Sequence, residues 1–177
     1  LADTKYLRGV TGLITGSERY PGAAVLSCKA AAKTNIGMIR YMGPQVCRDM
    51  VLAAVPEAVL GKGRVQAWVV GSGVPTGETE DDDFQRETIA KLLTHYALSS
   101  DDDPDDDDDL AYDMPPLVVD AGALDLLPDE VPPQVVITPH AGELASLLME
   151  EIKQEPSCQE DILLQNVRTR EEEFMLG

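Results

Sequence analysis

The sequence predicts an α/β fold, in which helices cover both faces of a mostly parallel sheet to give a three-layer αβα sandwich. Short apolar runs rich in β-branched residues alternate along the chain with longer segments that have helical spacing. Most residues of the strand-like runs are apolar, as is typical of parallel strands buried on both faces. With 177 residues, 44% of them hydrophobic, the chain is long enough to form one domain with a substantial core.

Five runs are predicted to be strands: Val10–Thr15, Ile36–Tyr41, Val65–Val70, Leu117–Val119 and Val135–Ile137. Each is followed by residues that end a strand, such as Gly16-Ser17 after the first and Gly71-Ser72-Gly73 after the third. Val65–Val70 is the clearest buried strand. These strand ends divide the chain into repeated β-α units.

Four segments between or after the strands are predicted to be helices: Ala23–Thr34, Gln45–Val55, Phe84–Ala97 and Ala141–Met149. The first is rich in alanine and follows Pro21-Gly22, which is typical of a helix start. Pro56 ends the second, and the third has apolar residues at helical spacing. A shorter helix is predicted to begin near Ala121.

The net charge of −18 argues against a general role on nucleic acid. The acidity lies in the second half, because residues 1–77 carry nine basic and four acidic side chains. Ser99–Asp109 holds eight aspartates and one proline, and we interpret it as an acidic surface loop. It contains no glycine for the sharp turn of an EF-hand, so we reject a calcium loop. Residues 151–177 are left without an assigned role.

Cysteine usage and hydropathy indicate a cytoplasmic protein that does not enter a membrane. The three cysteines are widely spaced and form no CxxC pair, which argues against a disulfide framework or a zinc site. No run of 18 apolar residues predicts a transmembrane helix. The chain begins at Leu1 without an initiator Met or signal peptide, so its start looks truncated.

Candidate ligand-binding residues cluster where predicted strands end, which is where open α/β sheets bind ligands. Gly16-Ser17 and Gly71-Ser72-Gly73 permit close backbone approach, although each also fits an ordinary tight turn. Asp120 either caps the following helix or contacts a ligand. For His140, with Glu143 three residues on, we favour ligand contact over a structural role. The sequence has no P-loop, GxGxxG motif, Ser-His-Asp arrangement or metal-ligand cluster.

Taken together, these segments resemble motifs of the ADP/ATP-dependent NAD(P)H-hydrate dehydratases, of the actinobacterial type, in the ribokinase-like superfamily. The resembling segments are Lys5–Gly9 with Gly16-Ser17 and Tyr20–Ala23, Val69–Val74, Val118–Leu124 and Thr138–Glu143. Thr138–Glu143 is the most specific, because it is similar to the family's Thr-Pro-His-Pro-Gly-Glu. Order and spacing agree from residue 5 to residue 149.

The chain departs from the family pattern in single residues and in extent. Ser72 and Ala141 stand where the family usually has proline, and Pro75 where it has glycine; we interpret these as tolerated drift. The family's Leu-Lys-Gly-Ala and Gly-Thr-Gly-Asp segments do not occur, so no catalytic residue is identified. The resemblance therefore implies that residues 1–177 are one incomplete ribokinase-like domain, mainly its hydrate-binding half, and inactive alone.

The resemblance implies dehydration of hydrated NADH and NADPH, a nicotinamide cofactor repair driven by ADP or ATP with Mg²⁺. By family analogy, Ala23, Gly73, His140, Gly142 and Glu143 bind the hydrate, and Asp120 lies nearby. The implied partners are the hydrated cofactor, an adenine nucleotide and further copies of the chain in a homo-oligomer. The alternatives are a ribokinase-like kinase of vitamin precursors and a non-catalytic oligomerising or ligand-binding module.

Overall fold

The computed structural model describes residues 7–77, 83–98 and 108–154, in which six strands form one sheet. The strands are β1 (Val10–Ile14), β2 (Met38–Tyr41), β3 (Val59–Leu60), β4 (Ala67–Val70), β5 (Leu117–Val119) and β6 (Val135–Ile137). They lie in the order β3-β2-β1-β4-β5-β6, and all five neighbouring pairs are parallel. From β1 the chain first adds strands on one side and then returns to add β4 on the other. The strand order therefore reverses between β1 and β4, which is where such sheets bind ligands.

Helices follow the strands in the predicted alternation. They are α1 (Pro21–Ala32), α2 (Gln45–Ala54), α3 (Asp83–Leu93), α4 (Asp108–Tyr112) and α5 (Ala141–Gln154). Two short 3₁₀ helices, Thr94–Tyr96 and Ala121–Leu126, follow α3 and β5. Helix α5 belongs to a second compact unit that starts at His140. The assignment of residues 1–177 to a single domain stays a prediction.

The sheet has a hydrophobic core on each face, as the three-layer prediction requires. Leu13 of β1 packs with Ala24 and Cys28 of α1 in one core, together with residues of α2. The next residue, Ile14, belongs to the other core, with Ile89 of α3 and residues of β5. Because side chains alternate along a strand, adjacent residues of β1 face opposite layers.

The structure confirms every predicted strand and helix and shifts several of their ends. The 3₁₀ helix Thr94–Tyr96 replaces the α-helical end predicted for Phe84–Ala97, and the helix predicted near Ala121 is also 3₁₀. The acidic loop is shorter than predicted, because Asp108 and Asp109 begin α4, while residues 99–107 lie outside the described part. Within the described ranges, no helix has the length and apolar character that a membrane span needs.

Candidate functional site

Two glycines at the ends of β1 and β4 bring the backbone against the first turn of α1. The Gly16 amide donates a 2.7 Å hydrogen bond to the Ser72 carbonyl, which joins the two strand ends. Gly16 has φ +74°, and a Cβ there would lie only 2.7 Å from Ala24 Cβ. Gly73 has φ +72°, and a Cβ there would overlap Ala23 Cβ. Both positions therefore require glycine, and two of the predicted binding residues, Gly73 and Ala23, lie in contact.

The first turn of α1 leaves its amide groups without a side-chain cap. Tyr20 is the residue before the helix and makes no capping hydrogen bond, and Pro21 follows it. The Ser17 hydroxyl accepts a 3.0 Å hydrogen bond from the Tyr20 amide, so it is occupied in the loop. No acidic residue stands in the first turn. This helix end is therefore suited to an anionic or polar group at the strand-order reversal.

Asp120 links the ends of three neighbouring strands. Its Oδ2 accepts a 2.7 Å hydrogen bond from the Ser72 hydroxyl after β4. Its Oδ1 accepts a 2.9 Å hydrogen bond from the Thr138 hydroxyl after β6. The side chain makes no capping bond to the 3₁₀ helix that follows, so the helix-cap alternative is wrong. The two hydroxyls hold the carboxylate in one orientation, and a carboxylate retains lone pairs for a further donor.

Ser72 and Thr138 were not identified as site residues from the sequence. We interpreted Ser72 as tolerated drift from proline, yet its hydroxyl has a specific partner in Asp120. A sequence signal for Ser72 and Thr138 does exist. Each is a hydroxyl residue at the end of a strand, and the strand between them ends in an acidic residue, Asp120. Sequence spacing alone does not show which hydroxyl reaches the carboxylate.

Arg86 of α3 holds together the loops that follow β4 and β5. Its guanidinium donates to the Pro75 and Gly122 carbonyls at 3.0 and 2.8 Å. It also makes a two-point ion pair with Asp125, at 3.1 and 2.9 Å. Such a fork-shaped contact fixes geometry more firmly than a single bond. Arg86 therefore fixes the segment after Gly73 relative to the segment after Asp120.

His140 and Glu143 form a reciprocal cap at the start of α5. His140 Nδ1 accepts hydrogen bonds from the Gly142 and Glu143 amides at 3.1 and 3.3 Å. In return, Glu143 Oε2 accepts a 2.9 Å bond from the His140 amide. This is the geometry of a capping box. Because Nδ1 is an acceptor, the neutral ring carries its proton on Nε2, 3.3 Å from Glu143 Oε1. Ligand contact by His140, Gly142 or Glu143 stays a prediction.

The described residues offer no metal centre. No three His, Cys, Asp or Glu side chains come together there in a way that would bind a metal ion. The acidic residues of the site in residues 7–139 are committed to hydroxyl or guanidinium partners, as Asp120 and Asp125 show. Any Mg²⁺ that accompanies a nucleotide is therefore assigned to no residue of this part of the chain.

The family model of the NAD(P)H-hydrate dehydratases, Carb_kinase, matches residues 11–173. This chain belongs to that family. The matched range contains all six predicted binding residues of this NAD(P)H-hydrate dehydratase family member, namely Ala23, Gly73, Asp120, His140, Gly142 and Glu143. The segment Lys5–Gly9, which also resembles the family, lies before it.

Curated relatives are bifunctional NAD(P)H-hydrate repair enzymes called Nnr. The chain is 40% identical over 156 residues to the protein of Mycobacterium tuberculosis, covering 82% of this chain and 28% of the relative. It is 34% identical over 160 residues to the protein of Corynebacterium glutamicum, covering 82% of this chain and 24% of the relative. The chain thus spans about a quarter of the length of the curated relatives it matches.

Solved structures support the ribokinase-like fold. A ribokinase-like superfamily protein from Enterococcus faecalis aligns with a TM-score of 0.61 and 19% identity, covering 80% of this chain and 49% of that one. The ADP/ATP-dependent NAD(P)H-hydrate dehydratase from Bacillus subtilis, co-crystallised with ATP/Mg²⁺, aligns with a TM-score of 0.58 and 20% identity. The alignment covers 88% of this chain and 53% of the Bacillus subtilis chain. The family and its fold are therefore shown by independent comparisons.

Proposed function

We propose that this protein takes part in the ADP/ATP-dependent dehydration of hydrated NADH and NADPH, a repair of damaged nicotinamide cofactors. The family match over residues 11–173 carries the proposal. The described part places its glycines and Asp120 at the carboxyl ends of the strands, where a small ligand binds in such sheets. The family match favours this activity over the vitamin-precursor kinase and over a non-catalytic module.

The contacts on the sheet suggest what these residues do for the substrate. Gly73 packs closely against Ala23 and Gly16 without a side chain of its own, and we propose that the backbone of these residues borders the ligand. The oriented Asp120 carboxylate accepts a hydrogen bond from a hydroxyl or amide of the ligand with its remaining lone pairs. We therefore propose that Gly73, Ala23 and Asp120 bind and orient the hydrate.

The second unit contributes candidates of a different kind. His140 has a largely exposed imidazole whose Nε2 is a donor in the neutral ring, while Gly142 and Glu143 complete its cap. We propose His140 as a hydrogen-bond donor to the substrate and the other two as residues that hold it in place. The described residues contain no group of three or more His, Cys, Asp or Glu side chains that could hold the Mg²⁺ of a nucleotide.

The assembly and the location are further proposals that rest on the family resemblance. We propose that the protein works in the cytoplasm, where the nicotinamide cofactors are used, and that it assembles as a homo-oligomer. Light scattering coupled to size exclusion tests the second point. A monomeric mass at assay concentration contradicts the oligomer and leaves the dehydratase assignment in place.

Absorbance at 340 nm tests the activity, because dehydration restores the reduced nicotinamide. The folded protein is assayed on hydrated NADPH with ATP, with ADP and without nucleotide. We expect recovery of absorbance that depends on the nucleotide. No recovery, or phosphorylation of a vitamin precursor instead, would overturn the proposed function.

A further inference from the structure

Three consecutive backbone carbonyls at the end of β1 are held by buried side chains from three different elements. The Tyr41 hydroxyl of β2 donates to the Thr15 carbonyl at 2.8 Å. Gln85 Nε2 of α3 donates to the Gly16 carbonyl at 3.0 Å and to the Thr15 carbonyl at 3.4 Å. The Cys47 thiol of α2 donates to the Ser17 carbonyl at 3.4 Å. The carbonyls of the segment Thr15–Ser17 are therefore held by side chains, while the Gly16 amide bonds to the Ser72 carbonyl after β4.

The donors are sealed in the protein. Tyr41 and Cys47 are fully buried and Gln85 is 1% exposed. Hydrogen bonds in such surroundings are not exchanged for bonds to water, so they constrain the peptide planes on both sides of Gly16. Burial and the nearby Cys47 raise the pKa of Tyr41, so its hydroxyl keeps its proton for donation.

Gln85 combines two donated hydrogen bonds with one buried oxygen that no described group satisfies. Its Oε1 has no hydrogen-bond partner in the described structure, and neither does the neighbouring Thr15 hydroxyl oxygen. A buried acceptor left unpaired costs about 1–3 kcal/mol. An apolar residue of the same size would avoid that cost but lose the two donated bonds. The two donated bonds are therefore what distinguishes a glutamine at this position from an apolar residue.

The held segment forms part of the surface to which the substrate is assigned. Gly16 bonds to the Ser72 carbonyl through its amide, and a Cβ on Gly73 would lie 3.4 Å from Gly16 Cα. The same Gly73 contacts Ala23. A rotation of the peptide that carries the Gly16 carbonyl would therefore move the ligand-facing backbone.

We propose that Gln85 is a positioning residue: it holds the Thr15–Ser17 segment so that Gly16, Gly73 and Ala23 keep the shape that binds the hydrated nicotinamide. This inference rests on the proposed function for the identity of the ligand. Gln85 does not itself touch the ligand, because its side chain is covered. Its contribution is to the affinity for substrate rather than to the chemical step.

Gln134 supplies a matched control. Its Nε2 also donates to backbone carbonyls, those of Ala111, Tyr112 and Met114, at 2.8, 3.1 and 3.4 Å. It stands immediately before β6, at the amino end of the sheet, whereas Gln85 acts at the carboxyl end. Gln85→Met and Gln134→Met thus remove similar donors from opposite ends of the strands.

Hydrogen exchange and steady-state kinetics test the proposal in the intact gene product. In Gln85→Met we expect faster amide exchange within residues 10–20, and a KM for hydrated NADPH raised about tenfold with kcat changed less than about threefold. In Gln134→Met the exchange rates and the KM should stay within about twofold of those of the unmodified protein. We expect this even if the Tm of Gln134→Met falls as much as the Tm of Gln85→Met. Equal exchange at residues 10–20 in the two variants, or an unchanged KM in Gln85→Met, overturns the positioning role.

The two proposals fail in different ways. Absence of dehydratase activity in the unmodified protein overturns the proposed function and does not depend on Gln85. The exchange measurement does not depend on activity. Faster exchange confined to Gln85→Met supports the hold on Thr15–Ser17, and the KM of that variant then decides whether the hold serves the substrate.

Discussion

The Ser72 hydroxyl donates a 2.7 Å hydrogen bond to Oδ2 of Asp120, joining the carboxyl ends of β4 and β5. Thr138 makes the matching bond to Oδ1 from the end of β6. Parallel strands align their carboxyl ends at one edge of the sheet, so short side chains there can reach one carboxylate. Asp120 is thus both a candidate ligand contact and a link between three strand ends.

Removal of the Ser72 hydroxyl should weaken this link measurably. Ser72→Ala takes one donor from a carboxylate, and we expect a loss of about 1–2 kcal/mol in the free energy of unfolding. Urea denaturation measures the loss, and Thr138→Val tests the other oxygen in the same way. A double-mutant cycle with Asp120→Ala should give a coupling of about 1 kcal/mol. Additive effects would show that the 2.7 Å contact contributes nothing of its own.

The contact between Gly73 and Ala23 predicts a substitution that another can rescue. Gly73→Ala places a side chain at a residue with positive φ and brings its Cβ against Ala23. Gly77→Ala also places a side chain at positive φ, but no atom lies within 4 Å of its Cβ. We expect about 1 kcal/mol of destabilisation at Gly77 and about 2 kcal/mol more at Gly73.

Ala23→Gly should recover part of the Gly73→Ala loss, because it removes the atom that the new Cβ meets. Ala23→Gly alone costs about 1 kcal/mol as a glycine in a helix, so it is measured separately. Thermal or urea unfolding of the unmodified protein, the three single variants and the double variant gives the comparison. If Gly73→Ala and Gly77→Ala lose equal stability, close packing at Gly73 is not what requires glycine there.

The sequence predicted β1 (Val10–Ile14) and β5 (Leu117–Val119) well because most of their residues are buried. A strand buried on both faces is mainly apolar and lacks the alternation of apolar and polar residues found in strands with one face in water. Val59–Leu60 was missed because it is a two-residue edge strand that is only partly buried. The short helix Asp108–Tyr112 was missed because it starts inside the aspartate run, whose composition favours a loop.

The candidate site was predicted in position better than in detail. Gly73 and Asp120 were identified as candidates because glycines and an acidic residue follow predicted strands. The carboxyl ends of parallel strands lie at the same edge of the sheet. The sequence did not reveal the partners of Asp120, nor that Gln85 on α3 reaches under Gly16. The partners of Asp120 depend on how neighbouring strand ends align, and the Gln85 contact depends on the packing of α3 on the sheet; periodicity fixes neither.

The cap on α5 separates two roles for His140. His140→Ala removes the acceptor of the Gly142 and Glu143 amides, and we expect loss of about 1 kcal/mol, or about fivefold faster amide exchange in the first turn of α5. His140→Asn restores a capping acceptor but not the imidazole. If His140 also contacts the substrate, calorimetry will show weakened hydrate binding in both variants. Unimpaired binding by His140→Asn would reduce His140 to the structural role.

Alkaline pH should destabilise the fold through Cys28 of α1. Burial raises the pKa of its thiol from 9.0 to about 12, so the folded protein keeps a proton that the unfolded chain loses. The stabilisation is complete below about pH 9 and is lost as the pH rises towards 12, by up to about 1.4 kcal/mol per pH unit. Tyr96, whose pKa burial raises to about 12, adds to the same slope.

Cys28→Ala isolates the thiol, because Tyr96 remains in both proteins. The variant should be less stable at pH 7, since the thiol fills space in the core beside Leu13, but its stability should fall less steeply above pH 9. Urea unfolding at pH 7, 9 and 10.5 gives both slopes. Parallel slopes in the two proteins would show that Cys28 titrates alike folded and unfolded, which its complete burial in the α1 core makes physically unfavourable.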